Sequence, residues 1–510
     1  MSDKRGLDRL AKLLIDTRVE VLSTGGTAKA LAELGVAVVK VSEYTGAPEI
    51  LGGRVKTLHP KLHGGILAMP TPEHEAELAR HAIPTIDLVV VNLYPFAQTI
   101  ADPSRSFADA IENIDIGGPT MVRAAAKNWS RVTVVVDPAD YDAIAHDVAT
   151  HGGVTPATRR RLARKAFAHT AAYDAAIATY LASWTDEGER VPADELPTFF
   201  MTGGDRHGTL RYGENPHQPA AFYANGEQGG LDSAKVLQGK ALSYNNLLDA
   251  DAAIGLVRDL AELGPAAAII KHATPCGAAI GDAGTPIDEV YARAQQADAE
   301  SSFGGIVALS RPCDGATAKR LASTFLEVVI APSFEADARE ILAKKTNLRL
   351  LELDTSTPAP AGVRVRSIAG GLLAQSTDRV HVPVQRATLV AGEPPTSWAD
   401  LELAWRVVAH VRSNAIAIVK DGATVGLGGG QTSRVEAVRQ ALRRAGEHAK
   451  GATLASDAFF PFRDSLDDIA GAGIRTVIQP GGSVRDAEVV DAATQHGVTM
   501  LFTGERHFRH

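Results

Sequence analysis

The fold is decided by one stretch of the second half, Ala266-Ala-Ala-Ile-Ile-Lys-His-Ala-Thr-Pro-Cys-Gly277. An apolar run here ends in the adjacent basic residues Lys271 and His272. Pro275 and Gly277 are turn-forming residues, so the pattern predicts a buried strand that stops at a turn. Open α/β sheets bind ligands outside the carboxyl ends of their strands, so we expect Lys271 and His272 to face a ligand. The structural alternative is a lysine whose stem covers apolar surface beside a core histidine.

The composition is that of a folded protein with more than one domain. The chain has 510 residues, of which 45% are hydrophobic and 22% charged, so two or more domains are expected. The formal net charge of −8 argues against bulk binding to nucleic acid, but it allows local basic pockets for a phosphorylated small molecule. Cys276 and Cys313 are the two cysteines, which predicts a reducing, cytoplasmic location without a disulfide scaffold. No apolar stretch reaches the length of a membrane span, and no signal-peptide pattern is expected at the N-terminus.

Strands and helices alternate in the first half, which predicts a parallel sheet covered by helices. A strand-like segment, Val19–Leu22, is followed by Ser23-Thr-Gly-Gly-Thr27 and by a predicted helix from Ala28 to Leu34. A glycine-rich turn at a helix N-terminus offers free backbone N–H groups to an anion, so a phosphate is the expected ligand. Glycines also occur in ordinary strand-to-helix turns, which is the structural alternative.

A second segment of the first half, residues 52–65, holds three cations and two histidines between glycine pairs. This density of positive charge favours an anion site. His59 and His63 are four residues apart, as metal ligands on a helix would be, but Pro60 is expected to break that helix. Structural or substrate-contact roles are therefore preferred for the two histidines.

An acidic, proline-bearing segment, Thr185–Pro197, separates the two halves. It follows a predicted long helix. Thr155 is suited to the N-cap of that helix, and Pro156 is suited to its first turn. The segment has no apolar period, so we place the domain boundary there and expect domains at residues 1–190 and 198–510. After residue 260 the order strand, glycine turn, helix and strand occurs twice, which indicates a weak internal duplication.

Short motifs run in order across nearly the whole chain. The first half carries Ser-Thr-Gly-Gly-Thr, Arg-Val-Lys-Thr-Leu-His-Pro, Asn-Leu-Tyr-Pro-Phe, Asp-Ile-Gly-Gly and Ala-Ala-Ala-Lys-Asn. The second half carries Arg-Tyr-Gly-Glu-Asn-Pro-His-Gln, Lys-His-Ala-Thr-Pro-Cys-Gly, Phe-Gly-Gly-Ile, Arg-Ser-Asn-Ala-Ile, Gly-Gln-Thr-Ser-Arg, Ser-Asp-Ala-Phe-Phe-Pro-Phe and a terminal Arg-His-Phe-x-His. Together they resemble the family of bifunctional purine biosynthesis enzymes, with the first set similar to its IMP cyclohydrolase half and the second to its AICAR transformylase half.

The resemblance implies two consecutive reactions. The 5-amine of AICAR receives a formyl group from 10-formyltetrahydrofolate to give FAICAR, which then closes with loss of water to IMP. The resemblance also implies an α/β fold, with a methylglyoxal-synthase-like parallel-sheet domain followed by a duplicated cytidine-deaminase-like domain. The implied partners are these small-molecule nucleotides and a second subunit, because the family forms homodimers with shared transformylase sites. Neither nucleic acid nor a membrane is an expected partner.

For the transformylase site, the resemblance implies roles for residues of several motifs. The AICAR amine is a poor nucleophile because its lone pair is delocalised, so formyl transfer needs proton removal and oxyanion stabilisation. His272 is assigned to the amine proton and Lys271 to the formyl oxyanion or the departing folate nitrogen, although which of the two is the base stays open. Asn414 is expected to donate to the same region. The other implied contacts are those of Arg211, Tyr212, Gly304, Gly305, Arg506 and His510 with the nucleotide, and of Arg434, Phe459, Phe460 and Asn414 with the folate.

For the cyclohydrolase site, the reacting carbon is already in place, so catalysis is mostly positioning and proton handling. The implied acid, base and oxyanion groups are Lys56, Tyr94, Asp115 and Lys127. The implied phosphate and nucleotide contacts are Lys4, Ser23, Thr24, Gly25, Gly26, Thr27, Arg54, Thr57, Gly117 and Gly118.

Three departures from known patterns bear on these roles. Zinc deaminases hold their metal with His-x-Glu and Pro-Cys-x-x-Cys, whereas Pro275-Cys276 is followed here by Gly-Ala-Ala without a preceding His-x-Glu. No catalytic zinc is therefore expected, and a requirement for a monovalent cation is left open. Family members usually have an apolar strand ahead of Ser-Asp-Lys, whereas the sequence starts at Met1 with Arg5 in place of the usual threonine, so the first strand of the domain is expected to be missing. Thr274 stands where bacterial relatives often have asparagine.

Two other functions remain as alternatives. One is a protein that retains only formyl transfer and uses its first domain as a nucleotide-binding module, which would leave FAICAR uncyclised. The other is a purine-nucleotide sensor on the same fold, which would require loss of the Lys-His pair. That pair is present at Lys271 and His272.

Overall fold

The computed structural model describes residues 1–102, 104–192, 195–225, 229–357, 362–379 and 384–510. The chain forms two compact units, Met1–Gly203 and Gly204–His510. The division falls just after the segment Thr185–Pro197 in which the sequence predicts the boundary, and residues 193 and 194 of that segment lie outside the described residues. No helix among the described residues is long and apolar enough to cross a membrane.

The first unit is built on short parallel strand pairs. Strand β1 (Val21–Ser23) pairs with β2 (Val38–Lys40), and β3 (Leu88–Val90) pairs with β4 (Thr133–Val135), in both cases in parallel. The helices that surround them are α1 (Leu7–Thr17), α2 (Gly25–Glu33), α3 (Val41–Thr45), α4 (Pro60–Leu67), α5 (Pro72–Arg80), α6 (Phe96–Ala101), α7 (Phe107–Glu112), α8 (Gly117–Lys127), α9 (Tyr141–His151) and α10 (Pro156–Ala182). Buried side chains of α8 and α10, such as Val122 and Ala166, pack with those of β4. This confirms the predicted parallel, helix-covered α/β architecture.

Two predicted details of the first unit are wrong. Helix α2 begins at Gly25, inside the glycine motif rather than after it. Pro60 does not break a helix but is the first residue of α4, with His59 as its N-cap and with His59 Nδ1 accepting a hydrogen bond from the Lys61 N–H at 3.1 Å. Proline is favoured at this position because its missing N–H would have no partner inside the helix anyway.

The second unit contains a large mixed sheet covered by helices on both faces. Its strands are β5 (Asp205–Leu210), β6 (Ala220–Ala224), β7 (Lys235–Gln238), β8 (Ala266–Lys271), β9 (Thr274–Ile280), β10 (Ile306–Leu309), β11 (Val328–Ala331), β12 (Arg349–Glu352), β13 (Val363–Ile368), β14 (Gly371–Ser376), β15 (Thr388–Ala391), β16 (Ile416–Lys420), β17 (Ala423–Gly428), β18 (Thr453–Ser456), β19 (Thr476–Gln479) and β20 (Thr499–Phe502). Its helices are α11 (Tyr244–Ala261), α12 (Ile287–Gln296), α13 (Gly315–Ala322), α14 (Ala336–Ala343), α15 (Trp398–Val408), α16 (Arg434–Ala445), α17 (Asp464–Gly471) and α18 (Asp486–His496). Among the described residues, the sheet has twelve strands in the order β15-β20-β19-β18-β16-β17-β9-β8-β10-β11-β12-β7.

The large sheet consists of two repeats of one element order. The order β7-α11-β8-β9-α12-β10-α13-β11-α14-β12 is followed by β15-α15-β16-β17-α16-β18-α17-β19-α18-β20. The strand order is mirrored about the pairing of β9 with β17, so the two repeats meet at the centre of the sheet. The sequence indicates this arrangement only weakly, because the repeats share pattern more than residue identity.

The stretch Ala266–Gly277 differs from its prediction. It contains strand β8, a two-residue turn at His272 and Ala273, and the start of β9, which returns antiparallel to β8. Pro275 and Gly277 therefore lie inside a strand rather than at a turn. Pro275 is tolerated because the pairing register shifts between Ile269 and Ile270, opposite this segment, and a proline lacks the N–H that regular pairing would need.

Gly277 lies inside the strand because a helix packs directly on it. A Cβ atom at Gly277 would come within 2.0 Å of the Ala294 carbonyl oxygen in α12, and one at Gly426 in the second repeat would come within 2.3 Å of the Ala441 carbonyl oxygen in α16. No side chain fits at such a distance. Each repeat thus uses a glycine to bring one helix onto its central hairpin.

We expect Gly277→Ala to lower the free energy of unfolding by ~2 kcal/mol, because the added methyl group forces α12 away from β9. The matched control is Gly284→Ala, since a Cβ at Gly284 would meet no atom within 4 Å. Urea unfolding of the full chain, followed by circular dichroism, measures both changes. Equal midpoints for the two variants would contradict the close packing at Gly277.

Candidate functional sites

The turn between β8 and β9 presents Lys271 and His272 at the tip of the first central hairpin. The Lys271 ammonium group donates a hydrogen bond to the Phe303 carbonyl oxygen at 2.8 Å, and His272 is exposed. His272 and Ala273 both have left-handed backbones, with φ of 55° and 53°. Such φ values are costly for residues other than glycine, asparagine and aspartate, and they cluster at functional sites.

The second repeat has an equivalent turn at Asp421 and Gly422, between β16 and β17. Its preceding residue, Lys420, corresponds to Lys271 and donates to the Lys450 carbonyl oxygen at 2.9 Å. The lysine-to-carbonyl contact is therefore a property of both repeats. It does not by itself distinguish Lys271 from Lys420, whereas the residues of the two turns differ.

Asn414 and Arg434 belong to one buried network centred on Asp457. Arg434 Nη1 pairs with the fully buried Asp457 carboxylate and also donates to Ser456 Oγ at 3.1 Å. Arg434 Nη2 donates to Asn414 Oδ1 at 2.6 Å, and Asn414 Nδ2 donates to the Gln431 carbonyl oxygen at 2.8 Å. The orientation of the Asn414 amide is thus fixed on both sides.

Burial sets Arg434 and Phe460 apart from the other predicted folate contacts. The Arg434 side chain is only 6% exposed, and its guanidinium group is engaged with Asp457 and Asn414, so it helps to fix the Asn414 amide. Phe460 is fully buried in the core, whereas Phe459 is 37% exposed. Phe459 is thus the exposed member of the predicted aromatic pair.

The C-terminal motif is tied to the same network. The His507 N–H donates to the Asp457 carbonyl oxygen at 3.0 Å, and the Arg509 N–H donates to Ser413 Oγ at 3.1 Å. Ser413 Oγ in turn donates to the Asp457 carboxylate. Arg506 and His510, the predicted phosphate contacts, are exposed beside this anchor.

The other predicted nucleotide contacts of the second unit lie near exposed surface. The Arg211 guanidinium lies 5.5 Å from the centroid of the Tyr212 ring, and the segment after it borders a cavity of ≈ 350 Å³ that Tyr244 also lines. Gly304 has a φ of 76°, and its N–H donates to the Phe325 carbonyl oxygen at 2.7 Å. Gly305 follows it and leads into strand β10.

In the first unit, the glycine motif forms the N-terminus of α2. Thr24 is the N-cap residue, and its side chain makes no capping hydrogen bond, so the first N–H groups of Gly25, Gly26 and Thr27 are open to an anion. Lys4 approaches the same turn, since a Cβ at Gly26 would lie 3.6 Å from its ammonium nitrogen. Ser23 is the last residue of β1 and leads into this turn.

The remaining first-unit residues gather partly around the start of α8. Asp115 Oδ1 accepts a hydrogen bond from the Gly118 N–H at 2.8 Å, and the Asp115 N–H donates to the Tyr173 hydroxyl oxygen at 2.8 Å. A Cβ at Gly117 would lie 2.6 Å from Thr57 Oγ1, so Thr57 belongs to the same cluster. No sequence motif points to Tyr173, which reaches Asp115 from α10.

The basic residues and the tyrosine that are predicted for the cyclohydrolase site form no hydrogen bond or ion pair with the Asp115 cluster in the described part of the chain. Lys56 Nζ lies 3.7 Å from Glu49 Oε2, and Arg54 forms an ion pair with Glu112. Tyr94 is 46% exposed, and Lys127 is the exposed last residue of α8. The structure thus brings Asp115, Thr57, Gly117 and Gly118 together and leaves the remaining groups on accessible surface.

Both cysteines are buried. Among the described residues, no group of three or more histidine, cysteine or acidic side chains is placed to hold a metal ion. Burial raises the pKa of the Cys276 thiol to about 11 and that of Cys313 to about 12. Cys276 therefore packs as a neutral side chain behind the hairpin turn.

Comparisons with known proteins agree along the whole chain. The family model described as AICARFT/IMPCHase bienzyme matches residues 125–444, and the one described as MGS-like domain matches residues 6–120. The bifunctional purine biosynthesis protein PurH of Acidithiobacillus ferrooxidans is 51% identical over 519 residues, which cover 100% of this chain and 98% of that protein. The protein of the same name from Halalkalibacterium halodurans is 51% identical over 516 residues, with the same coverage. A solved structure titled "Crystal structure of ForH" is 40% identical, covers 35% of this chain and 91% of its own, and has a TM-score of 0.32.

We expect neither thiol of the native chain to react with DTNB at neutral pH, because both pKa values are raised and both sulfur atoms are buried. In concentrated urea the same chain should release two equivalents of thionitrobenzoate, one for each cysteine. Absorbance at neutral pH measures both reactions. Rapid release of one equivalent from the native chain would contradict the burial of Cys276 or Cys313.

Proposed function

This chain belongs to the AICARFT/IMPCHase bienzyme family, and on that premise we propose which of its residues carry the two reactions. The enzyme is a phosphoribosylaminoimidazolecarboxamide formyltransferase and IMP cyclohydrolase, and it catalyses the last two steps of purine biosynthesis. The observation that carries this conclusion is 51% identity to PurH over the full chain. The formyl donor that this activity implies is 10-formyltetrahydrofolate.

Formyl transfer is assigned to the second domain, residues 198–510, with Lys271 and His272 as its catalytic pair. His272 takes the proton from the AICAR amine as the nitrogen attacks the formyl carbon, and Lys271 stabilises the oxyanion or protonates the departing folate nitrogen. The exposed position of His272 and the left-handed backbone of its turn support this assignment. The ammonium of Lys271 has three hydrogens, of which one is directed at Phe303, so the others remain to donate to a substrate.

Asn414 is assigned to the same reaction as a hydrogen-bond donor. Its amide oxygen accepts from Arg434, and its nitrogen donates one hydrogen to Gln431, which leaves the second N–H to donate to a ligand. Phe459 supplies an exposed aromatic surface for the folate. Arg211, Tyr212, Gly304, Gly305, Arg506 and His510 are the proposed nucleotide contacts.

Ring closure is assigned to the first domain, residues 1–190. The open N-terminus of α2 and the nearby Lys4 ammonium support a phosphate site at Ser23–Thr27. Asp115 at the start of α8 is the leading candidate for proton transfer, because its carboxylate keeps one oxygen beyond the Gly118 contact. Lys56, Tyr94 and Lys127 are the accompanying acid, base and oxyanion groups, and Arg54, Thr57, Gly117 and Gly118 are substrate contacts.

A homodimer with shared transformylase sites is the proposed assembly, in the cytoplasm. The hairpin β13–β14 supports a protein contact, because Val363, Val365, Ile368, Leu372 and Leu373 are exposed on it. A catalytic zinc is not expected, and the need for a monovalent cation is measured by assaying formyl transfer in buffers that differ only in that cation. The alternative in which only formyl transfer is retained differs from this proposal in one respect, the cyclisation of FAICAR.

We expect Lys271→Ala to lower the rate of AICAR formylation by about 100-fold or more while FAICAR cyclisation stays unchanged, since each reaction has its own site. Asp115→Asn should lower cyclisation by a similar factor of about 100 and leave formylation unchanged. The matched control is Lys420→Ala, which removes the equivalent lysine of the second repeat and should preserve both rates. The two half-reactions are followed by absorbance on the purified full chain.

Equal loss of both activities in each folded variant would refute the assignment of two separate sites. A full rate of formylation in Lys271→Ala would refute the role of the pair. A wild-type chain that formylates AICAR but never cyclises FAICAR would favour the alternative with a single activity.

A further inference from the structure

We infer that Asp249 is a positioning residue for formyl transfer, because its carboxylate holds the turn that carries Lys271 and His272. Asp249 Oδ1 accepts a hydrogen bond from the Ala273 N–H at 2.6 Å, and Oδ2 accepts from the His272 N–H at 3.3 Å. Asp249 lies in α11, on a different element from the turn that it binds. The inference rests on the proposed function of the Lys-His pair.

The turn needs such support because its residues do not favour its conformation. A two-residue hairpin turn with positive φ at both positions is formed most readily by asparagine, aspartate and glycine. Here the two positions are His272 and Ala273, with φ of 55° and 53°. Their side chains carry a Cβ that crowds the backbone in this region, so the turn is held by contacts from outside it.

The second repeat provides a comparison within the same molecule. Asp400 at the start of α15 accepts from the Asp421 N–H at 3.1 Å and from the Gly422 N–H at 2.7 Å. In both repeats an aspartate thus accepts hydrogen bonds from the two N–H groups of the turn, whereas the turn residues differ. Asp421 and Gly422 suit the left-handed conformation without help, so the second turn depends less on its aspartate.

The difference between the repeats indicates the role of Asp249. The first turn lacks the residues that favour its conformation, and it presents the exposed imidazole of His272 next to Lys271. Asp249 stabilises this unfavourable conformation by accepting hydrogen bonds from both N–H groups of the turn. Without Asp249 the turn can adopt other backbone conformations, in which His272 points elsewhere relative to Lys271. Formyl transfer requires Lys271 and His272 at one reacting centre. A small displacement of either side chain therefore lowers kcat, whereas it weakens substrate binding less.

The test compares Asp249→Asn with Asp400→Asn in the full-length enzyme. We expect Asp249→Asn to lower kcat for AICAR formylation by about 10- to 100-fold with the KM for AICAR changed less than about threefold, because one of the two accepting oxygens is replaced by an NH2 donor that repels the N–H it faces. FAICAR cyclisation should stay unchanged. Asp400→Asn is expected to retain formylation within about twofold, since the second turn is not part of the proposed site.

A second substitution separates a positional role from an electrostatic one. Ala273→Gly removes the Cβ that disfavours the left-handed turn, so in the Asp249→Asn background it should restore at least about fivefold of the lost kcat. Asp249→Glu keeps the negative charge but lengthens the side chain, and a positional role predicts that it also loses activity. Retained cyclisation and an unchanged circular dichroism spectrum show in each case that the chain has folded.

Equal losses in Asp249→Asn and Asp400→Asn would overturn the inference, as would a double variant without any recovery. Full activity in Asp249→Asn, together with loss in Lys271→Ala, would refute the role of Asp249 alone. Full activity in Lys271→Ala would instead refute the proposed function of the pair on which the inference rests.

Discussion

The second unit depends on the edge-to-edge pairing of its two central hairpins. Strand β9 of the first repeat meets β17 of the second, where Thr424 Oγ1 accepts from the Ala278 N–H at 3.0 Å and the Ile280 N–H donates to the Gly422 carbonyl oxygen at 2.9 Å. Each hairpin alone would leave an open strand edge, whose unpaired N–H and C=O groups can pair with another chain. Their pairing satisfies both edges and joins two half-sheets into one. It also fixes the hairpin tips, because register at the junction is set by residues close to both turns.

The two hairpins that meet at this junction have similar turns with different residues. Each repeat has a lysine, a tight turn and an aspartate that binds the turn, with nearly the same contacts. The turn of the second repeat consists of Asp421 and Gly422, which suit its conformation. The turn of the first repeat consists of His272 and Ala273, which do not. His272 and Ala273 disfavour the left-handed conformation that they adopt, whereas the second repeat has residues that suit it, and this difference supports the proposed role of His272 in the reaction.

The sequence predicted the elements of the sheet better than their ends. Buried apolar runs identified β8, β16 and their neighbours, because a strand that is covered on both faces is apolar at nearly every position. The turn predicted at Pro275 and Gly277 is wrong, although these residue types usually mark turns. Pro275 lies at a register shift inside the sheet, and Gly277 lies beneath helix α12. The network of Asp457 with Arg434 could not be predicted, since it joins residues that come together only after the sheet has formed. Motif resemblance supplied the site residues, but only burial shows that Arg434 and Phe460 face inward.

The Asp457 network changes how the C-terminal motif should be understood. The backbone around Arg506–His510 is held by Asp457 and Ser413, and Asp457 also binds the guanidinium that orients Asn414. The last residues are therefore connected to Asn414 through a single buried carboxylate. An unpaired carboxylate at that depth would be strongly unfavourable, so Arg434, the tail and Asn414 stabilise one arrangement together. The tail thus has a structural role besides its proposed phosphate contact, because its docking also completes the environment of the Asn414 amide.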